Sequence, residues 1–303
     1  MARFETLRGV FGLLPTPYRR DYEIATEALR ATAEFCCASG QHGVVWPVMV
    51  GELYYLAEQE REKNLDAILE TVDGRVPVVS GCSSSSLPET LRLARAADRA
   101  GCDAVIAMVP LDATPAMMIE MFHRLAEVFD GPLVVQNHAE RATLSSEQLA
   151  SLVESVPSVE YVKEERVPSP RHIAAVREVV GNRVKTIFGG SGGKLLPEEL
   201  SRGAGGCMPA CQLADVLARV IGLWWQGDEG GARELHRRML ALIIRETHPF
   251  MRYVLQCRGV LGLSAERGPA WGHPLDEGER KEIAVLVAEL VGELGSFPYR
   301  PVV

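Results

Sequence analysis

The chain has 303 residues, of which 47% are hydrophobic and 24% charged, and its formal net charge is −8. These values are ordinary for a globular protein, the negative charge argues against a nucleic-acid surface, and no apolar run is long enough to span a bilayer. The seven cysteines are scattered, which predicts no disulfide set. Cys207 and Cys211 have no second pair with zinc-ligand spacing, so no metal site is predicted. The N-terminus has no signal-peptide core, and together these features predict a cytoplasmic protein.

Short apolar runs alternate with longer amphipathic segments over most of the chain. The runs are bounded by turn residues, as is typical of buried parallel strands, and the segments between them carry apolar residues at helical spacing. Strands are predicted at residues 9–14, 43–48, 76–80, 104–109, 132–136, 159–163, 184–188 and 206–208. Helices are predicted at residues 24–38, 57–72, 88–100, 115–128, 145–154, 170–180, 195–201 and 213–225.

Strand–helix alternation of this kind predicts parallel strands joined by right-handed crossovers. About eight such units favour a (β/α)8 TIM barrel over an open doubly wound sheet, since no Gly-x-Gly-x-x-Gly follows the first strand. Three further helices are predicted at 228–244, 249–263 and 276–294. We therefore divide the chain into a barrel with the active site, residues 1–225, and a C-terminal helical extension, residues 226–303.

The sixth predicted strand differs from the others because it carries a lysine near its C-terminal end. Alternation along the strand places Tyr161 and Lys163 on one face and Val162 on the other. A lysine that faces a packed interior is costly unless it is paired or used, and a desolvated neutral amine is a nucleophile toward ketones. The alternative is a lysine that reaches solvent or pairs with Glu165. Glu165 shares the face of Lys163, either as its ion-pair partner or as a base.

Polar groups and glycines follow the carboxyl ends of the predicted strands, where barrel enzymes place their active sites. One lysine, Lys163, and one arginine, Arg141, share this rim with several glycines, a composition that suits a small carboxylate bearing a carbonyl group. The other rim residues are Thr16, Tyr18, 49–52, Ser80, 83–86, Pro110, Asp112, 136–138, Glu165, 189–193, Met208 and Pro209.

Five short motifs occur in order on the predicted elements. They are Gly12-Leu13-Leu14-Pro15-Thr16-Pro17-Tyr18, Gly51-Glu52, Asn137 with Arg141, Val162-Lys163-Glu164, and Gly203-Ala204-Gly205-Gly206. Together they resemble the dihydrodipicolinate synthase / N-acetylneuraminate lyase family, and the resemblance spans the whole chain. It implies a pyruvate-type Schiff base on Lys163, no cofactor, and a homotetramer built as a dimer of dimers.

Several positions depart from the pattern usual in that family, and one of them is the segment after the fourth strand, where Pro110-Leu111-Asp112 lacks the expected tyrosine. Met49 and Val50 stand where the loop after the second strand has two threonines, and Gln136 stands where the proton-relay tyrosine is expected. An amide can orient a substrate or a water but cannot shuttle a proton as a phenol can. The sequences Val135-Gln136-Asn137 and Gly206-Cys207-Met208 are similar to the 2-keto-3-deoxy-L-arabinonate dehydratase branch of the family.

The resemblance and its departures predict dehydration of a 2-keto-3-deoxy sugar acid by class I lyase chemistry, in which an imine on Lys163 makes C3 acidic. Gln136 is expected to hold the C4 hydroxyl or a water. Aldol cleavage or formation of a C3–C4 bond with pyruvate shares the first half of this reaction, so it stays open, as does deamination of a cyclic imino acid. The non-enzymatic alternative is a keto-acid-binding protein that has lost turnover.

The remaining candidate residues are assigned to substrate binding. Arg141 is expected to bind the substrate carboxylate, unless it only forms a surface ion pair. The backbone at Met49 and Val50 offers N–H groups to a carboxylate. Ser191, in the glycine loop after the seventh strand, offers a hydroxyl, and Met208 completes the predicted cavity wall at the eighth strand.

Overall fold

The computed structural model describes residues 4–108, 113–138, 143–262, 265, 267 and 272–301. Within them, eight parallel strands form a closed barrel in which neighbouring strands in the sequence pair with each other and the first strand pairs with the last. The strands are β1 (Gly9–Leu13), β2 (Gly43–Trp46), β3 (Val78–Gly81), β4 (Ala104–Ala107), β5 (Leu133–Asn137), β6 (Val159–Glu164), β7 (Thr186–Gly189) and β8 (Gly206–Cys207).

A helix follows each strand and covers the outside of the barrel, which confirms the predicted TIM barrel and excludes the open sheet. These helices are α1 (Thr26–Ala38), α2 (Glu58–Val72), α3 (Leu87–Ala100), α4 (Pro115–Ala126), α5 (Ser146–Ser155), α6 (Ser169–Val180), α7 (Leu196–Ser201) and α8 (Ala214–Trp225). Among the described residues, no helix is both long and apolar enough to cross a membrane.

Residues along each strand alternate between the barrel interior and the layer between the sheet and the helices. Val45 and Tyr161 belong to the interior cluster, whereas Val44 and Val162 belong to the cluster packed against the helices. This period of two is the geometry of an extended strand. It places Lys163 on the interior side of β6, two residues beyond Tyr161.

Local side chains account for the start and end of several helices. Ser145 caps α5 by accepting the backbone N–H of Gln148, and the side chain of Gln148 accepts the N–H of Ser145, which is a capping box. Helix α3 ends at Ala100, and the next residue, Gly101, has a φ of 81° in the left-handed region that glycine adopts without strain. The βα units therefore have boundaries that follow from their own residues.

Three helices follow the barrel: α9 (Glu229–Ile243), α10 (His248–Cys257) and α11 (Glu277–Ala288). Buried ion pairs fix α10 and the residue after it to the barrel. Arg252 pairs with Glu52, which follows β2, and Arg258 pairs with Asp215 of α8 at 2.5 Å. Because each pair is buried and joins distant parts of the chain, the extension is held against the carboxyl ends of the strands.

Two of the predicted C-terminal helices are longer in the prediction than in the structure. The helix predicted over 249–263 ends at Cys257, and Gly259, with a φ of 69°, then turns the chain. The helix predicted over 276–294 ends at Ala288 and is followed by a separate turn of 3₁₀ helix, Val291–Glu293. In both cases apolar periodicity continues beyond the point where the backbone changes direction.

Candidate active site

A cavity of about 120 Å³ opens at the carboxyl ends of the strands. In a parallel barrel this is the end where the side chains that follow each strand converge, so it is the expected place for chemistry. The described residues that line it are Leu13, Val48, Met49, Val50, Gln136, His138, Lys163, Glu165, Ser191, Gly192, Met208, Ala210 and Glu246.

Lys163 lies near the end of β6 with its side chain in the cavity and only 4% of the residue exposed. Its Nζ lies 3.3 Å from Oε1 of Glu165. The structure therefore shows both features that the sequence offers as alternatives, because Lys163 faces the barrel interior and also pairs with Glu165. A carboxylate at this distance can also accept the proton that the amine must lose before it attacks a carbonyl carbon.

Gln136 and Glu165 meet beside Lys163. Gln136 pairs in register with Lys163 across β5 and β6, and its Nε2 donates a 2.8 Å hydrogen bond to Oε2 of Glu165. Each oxygen of the carboxylate thus has its own partner, an ammonium on one side and an amide on the other. This fixes the carboxylate against rotation and points it into the cavity.

The pKa of Glu165 reflects two opposing influences. Burial raises it, but the charge of Lys163, the hydrogen bond from Gln136 and the nearby His138 together lower it below its usual value. The group is therefore ionised at neutral pH and stays so well into the acidic range. An ionised carboxylate next to the lysine is a base from the start of the reaction.

The turn after β2 contributes Met49 and Val50 to the cavity wall. The N–H of Gly51 donates to the carbonyl of Val48 at 2.8 Å, which closes the turn. A carboxylate bound at this turn would therefore take the N–H groups of Met49 and Val50. The hydroxyl of Thr16 donates a 2.6 Å hydrogen bond to the Gly51 carbonyl, which fixes the turn to the segment after β1.

Glycines of the loop after β7 make room for two acidic side chains. A Cβ at Gly190 would overlap the carboxyl of Glu165, and one at Gly192 would overlap the carboxyl of Glu246. Gly192 also has a φ of 67°, in the left-handed region. The loop serves to bring carboxyl groups close to the cavity, in addition to giving room to a substrate.

Glu246 lies between α9 and α10, outside the barrel, yet its side chain lines the cavity. Burial raises the pKa of its carboxyl, and a hydrogen bond from the N–H of Ala210, with the charges of Lys194 and Lys163, offsets only part of this effect. The sequence alone does not mark Glu246 as a cavity residue, because nothing in the helical pattern around it indicates a side chain that returns to the barrel.

A further carboxyl, Glu199 of α7, is buried beneath the same glycine loop. Its Oε1 accepts a 2.5 Å hydrogen bond from Ser169, and its Oε2 has no hydrogen-bond partner among the described residues. Burial raises its pKa to about 7, and the charge of Glu165 adds to this effect. Glu199 does not line the cavity, so it acts on the site only through its neighbours.

The structure brings together most of the residues that the sequence singles out. Lys163, Gln136, Met49, Val50, Ser191, Met208, His138 and Glu165 all line the cavity. Arg141 lies outside the described residues, so its binding of a carboxylate stays a prediction. Thr16 and Tyr18, placed on the rim by sequence, are both buried and do not line the cavity.

The described residues contain no group of three or more His, Cys, Asp and Glu side chains arranged to hold a metal ion. The chemistry of the cavity instead centres on an amine. Its functional groups are an amine, two carboxylates, an amide, an imidazole and a hydroxyl. An amine beside a carboxylate base is what formation of an imine with a ketone requires.

Known proteins resemble this chain over most of its length. The model of the dihydrodipicolinate synthetase family matches residues 6–290. The 4-hydroxy-tetrahydrodipicolinate synthase of Methanothrix thermoacetophila is 29% identical, with 95% of this chain and 99% of that protein covered. An enzyme of the same name from Thermus thermophilus is 31% identical, over 84% of this chain and 87% of that protein. The solved dihydrodipicolinate synthase of Rhodopseudomonas palustris superposes with a TM-score of 0.85 at 26% identity, covering 93% of this chain and 97% of that one.

Proposed function

The chain belongs to the dihydrodipicolinate synthetase family of class I lyases, and from this premise we propose that it dehydrates a 2-keto-3-deoxy sugar acid through an imine on Lys163. The observation that carries the proposal is the arrangement of Lys163, Glu165 and Gln136. All seven tyrosines of the chain lie within the described residues, and none of them lines the cavity. Proton transfer inside this chain is therefore assigned to a carboxylate rather than to a phenol.

The first half of the reaction forms the imine. Glu165 takes a proton from the Lys163 ammonium at 3.3 Å, and the neutral amine attacks the C2 ketone. The proton held by Glu165 leaves with the carbinolamine hydroxyl as water. A protonated imine, which withdraws electrons from C3, and an ionised Glu165 remain. The N–H groups of Met49 and Val50 bind the substrate carboxylate, together with Arg141 as the sequence predicts.

The second half expels the C4 hydroxyl. Glu165 removes a proton from C3 and gives an enamine, and the enamine electrons form the C3–C4 double bond as the hydroxyl leaves. The proton held by Glu165 joins that hydroxyl to make water, so one carboxyl serves as base and then as acid. Water then hydrolyses the imine, which releases an unsaturated 2-keto acid and restores Lys163.

An aldolase is the second candidate, and the names of the relatives favour it, since both similar proteins are synthases. Such an enzyme would form or break the C3–C4 bond from the same enamine. The position of Gln136 counts against the synthase reaction, because its amide donates to Glu165 where the family pattern has a proton-relay tyrosine. A cyclic imino acid deaminase and a binder without turnover are weaker alternatives. The homotetramer and the cytoplasmic location stay predictions.

A panel of 2-keto acids tests the proposed function. We expect steady-state turnover with 2-keto-3-deoxy sugar acids, detected as loss of one water by mass spectrometry of the product. Borohydride reduction of the same mixtures should add the substrate or product mass to the protein, on the peptide that contains Lys163. Cleavage to pyruvate and an aldehyde instead of dehydration would assign the chain to the aldolases, and adduct formation without any turnover would assign it to the binders.

Replacing Gln136 by tyrosine tests whether the cavity is built around an amide. We expect kcat/KM for the best 2-keto-3-deoxy acid to fall about tenfold or more, worth roughly 1.4 kcal/mol. The phenol is larger than the amide in a cavity of about 120 Å³, and it replaces the amide nitrogen that donates a 2.8 Å hydrogen bond to Glu165.

Gln136→Glu is the size-matched control for this substitution. It keeps the shape of the side chain but places a second carboxyl against Glu165, so the two share a proton and activity falls for an electrostatic reason. An increase of activity in Gln136→Tyr would show that the dehydratase interpretation of this position is wrong.

A further inference from the structure

Glu246 is the one described residue of the cavity wall that comes from beyond the barrel strands and their following loops. Its segment is fixed on both sides. Ile243, at the end of α9, is buried, and His248, at the start of α10, is hydrogen-bonded to the backbone of Met49. The C-terminal extension thus delivers one side chain to the cavity at a defined place.

The place is the junction of β7 and β8. The N–H of Ala210, just after β8, donates to the Glu246 carboxylate. On the other side, the carboxylate rests against Gly192 of the β7 loop, where any side chain would overlap it. A carboxylate held by a backbone donor and seated against a glycine has a fixed orientation before a substrate arrives.

The cavity has an acidic arc and a neutral arc. The strands β5, β6 and β7 and their loops carry the polar groups, including Lys163 and Glu165, and Glu246 closes this arc toward β8. The strands β8, β1 and β2 contribute mainly apolar side chains and the turn at Met49 and Val50. Carboxyl oxygens accept hydrogen bonds from hydroxyl groups, whereas an anionic carboxylate has no donor of its own to offer them. The carboxylate end of a substrate therefore fits the neutral arc, and its hydroxylated end fits the acidic arc.

We propose that Glu246 is a specificity-determining residue that accepts a hydrogen bond from a hydroxyl on the distal part of the substrate chain. It selects hydroxylated 2-keto acids over pyruvate, which has no hydroxyl to donate. Glu165 pairs with Lys163 and is assigned the chemistry at C3. Glu246 is therefore the carboxyl group that can bind the rest of the substrate's carbon chain. This inference rests on the proposed function, because it takes the imine on Lys163 as the anchor of the substrate.

Competitive trapping tests the inference without requiring turnover. The protein is given equal concentrations of pyruvate and a 2-keto-3-deoxy sugar acid, reduced with borohydride, and the two adducts are quantified by intact mass. For Glu246→Ala we expect the ratio of sugar-acid adduct to pyruvate adduct to fall about 10-fold, the effect of losing a hydrogen bond to a buried carboxyl group. Capture of pyruvate itself should be unchanged.

Two further variants sharpen the comparison. Glu246→Gln keeps an oxygen acceptor at the same reach, so we expect a smaller fall than in Glu246→Ala, and this variant decides the matter if the alanine variant does not fold. Glu234→Gln, on the exposed face of α9, is the matched control and should leave the ratio at the wild-type value.

An unchanged ratio in both Glu246 variants, or an equal loss of both adducts, would overturn the role proposed for Glu246. Failure of the dehydratase proposal has a different signature. In that case the wild-type protein dehydrates no acid of the panel, while the trapping ratio still reports whether Glu246 recognises the hydroxylated chain.

Discussion

Lys163→Ala should abolish turnover, with a fall in kcat/KM of about 10⁴-fold or more, or roughly 5 kcal/mol of transition-state stabilisation. Without the amine no imine forms, and the electron sink that makes C3 acidic is lost. Steady-state kinetics on the best 2-keto acid measure the loss, and borohydride reduction should add no substrate mass to the variant.

The alanine variant also leaves the Glu165 carboxylate without its cation, so a second variant is needed to separate chemistry from stability. Lys163→Arg keeps a positive charge near Glu165 but is not a nucleophile, and we expect it to be equally inactive with a normal melting temperature. Lys185→Ala removes a half-exposed lysine that pairs with Glu160 at 2.7 Å and should behave as wild type. Near wild-type turnover in either Lys163 variant would show that the Schiff-base mechanism is wrong.

The architecture could be predicted because it depends on patterns that repeat along the chain. Eight strand–helix units and the period of two along each strand specify a closed parallel barrel and the face of β6 that carries Lys163. The ends of α10 and α11 could not be predicted as well. Apolar spacing continues past both ends, and the turn at Gly259 is decided by backbone geometry and tertiary packing.

Some residues of the site could likewise be predicted from the sequence, and others could not. Lys163 and Gln136 lie at the carboxyl ends of strands and Ser191 lies shortly after one, so their order in the sequence already places them at one end of the barrel. The hydrogen bond from Gln136 to Glu165 follows from the pairing of β5 with β6, which depends on the tertiary structure and not on the local sequence. Glu246 depends on how α9 and α10 pack against the barrel, and no local motif around residue 246 reports that packing.

Glu165→Gln should lower kcat about 10²- to 10⁴-fold, the range that a positioned general base contributes. The neutral amide keeps the size of the side chain and can still meet Gln136, but it cannot take a proton from C3. The imine itself should still form, more slowly, because Lys163 is retained. The variant is therefore expected to separate the two halves of the reaction, which Lys163→Ala cannot do.

Deuterium exchange into pyruvate measures the step that Glu165 is proposed to catalyse. In D₂O the wild-type protein should exchange the methyl hydrogens of pyruvate through the enamine. Glu165→Gln should exchange them at least about 100-fold more slowly, while borohydride still traps the pyruvate imine. Because Lys163 and Gln136 keep the pKa of Glu165 below its usual value despite burial, exchange by the wild type should persist as the pH falls toward about 5.

Two control variants complete the argument for the carboxylate. Glu165→Asp keeps the charge but shortens the side chain by one methylene, so we expect exchange between that of the wild type and that of the glutamine variant. Glu160→Gln changes a carboxyl near the start of β6, the strand that ends just before Glu165. Glu160 pairs there with Lys185, and this variant should leave exchange unaffected. Exchange at the wild-type rate in Glu165→Gln would show that another group removes the C3 proton. His138, which lines the same cavity, would then be the next residue to replace.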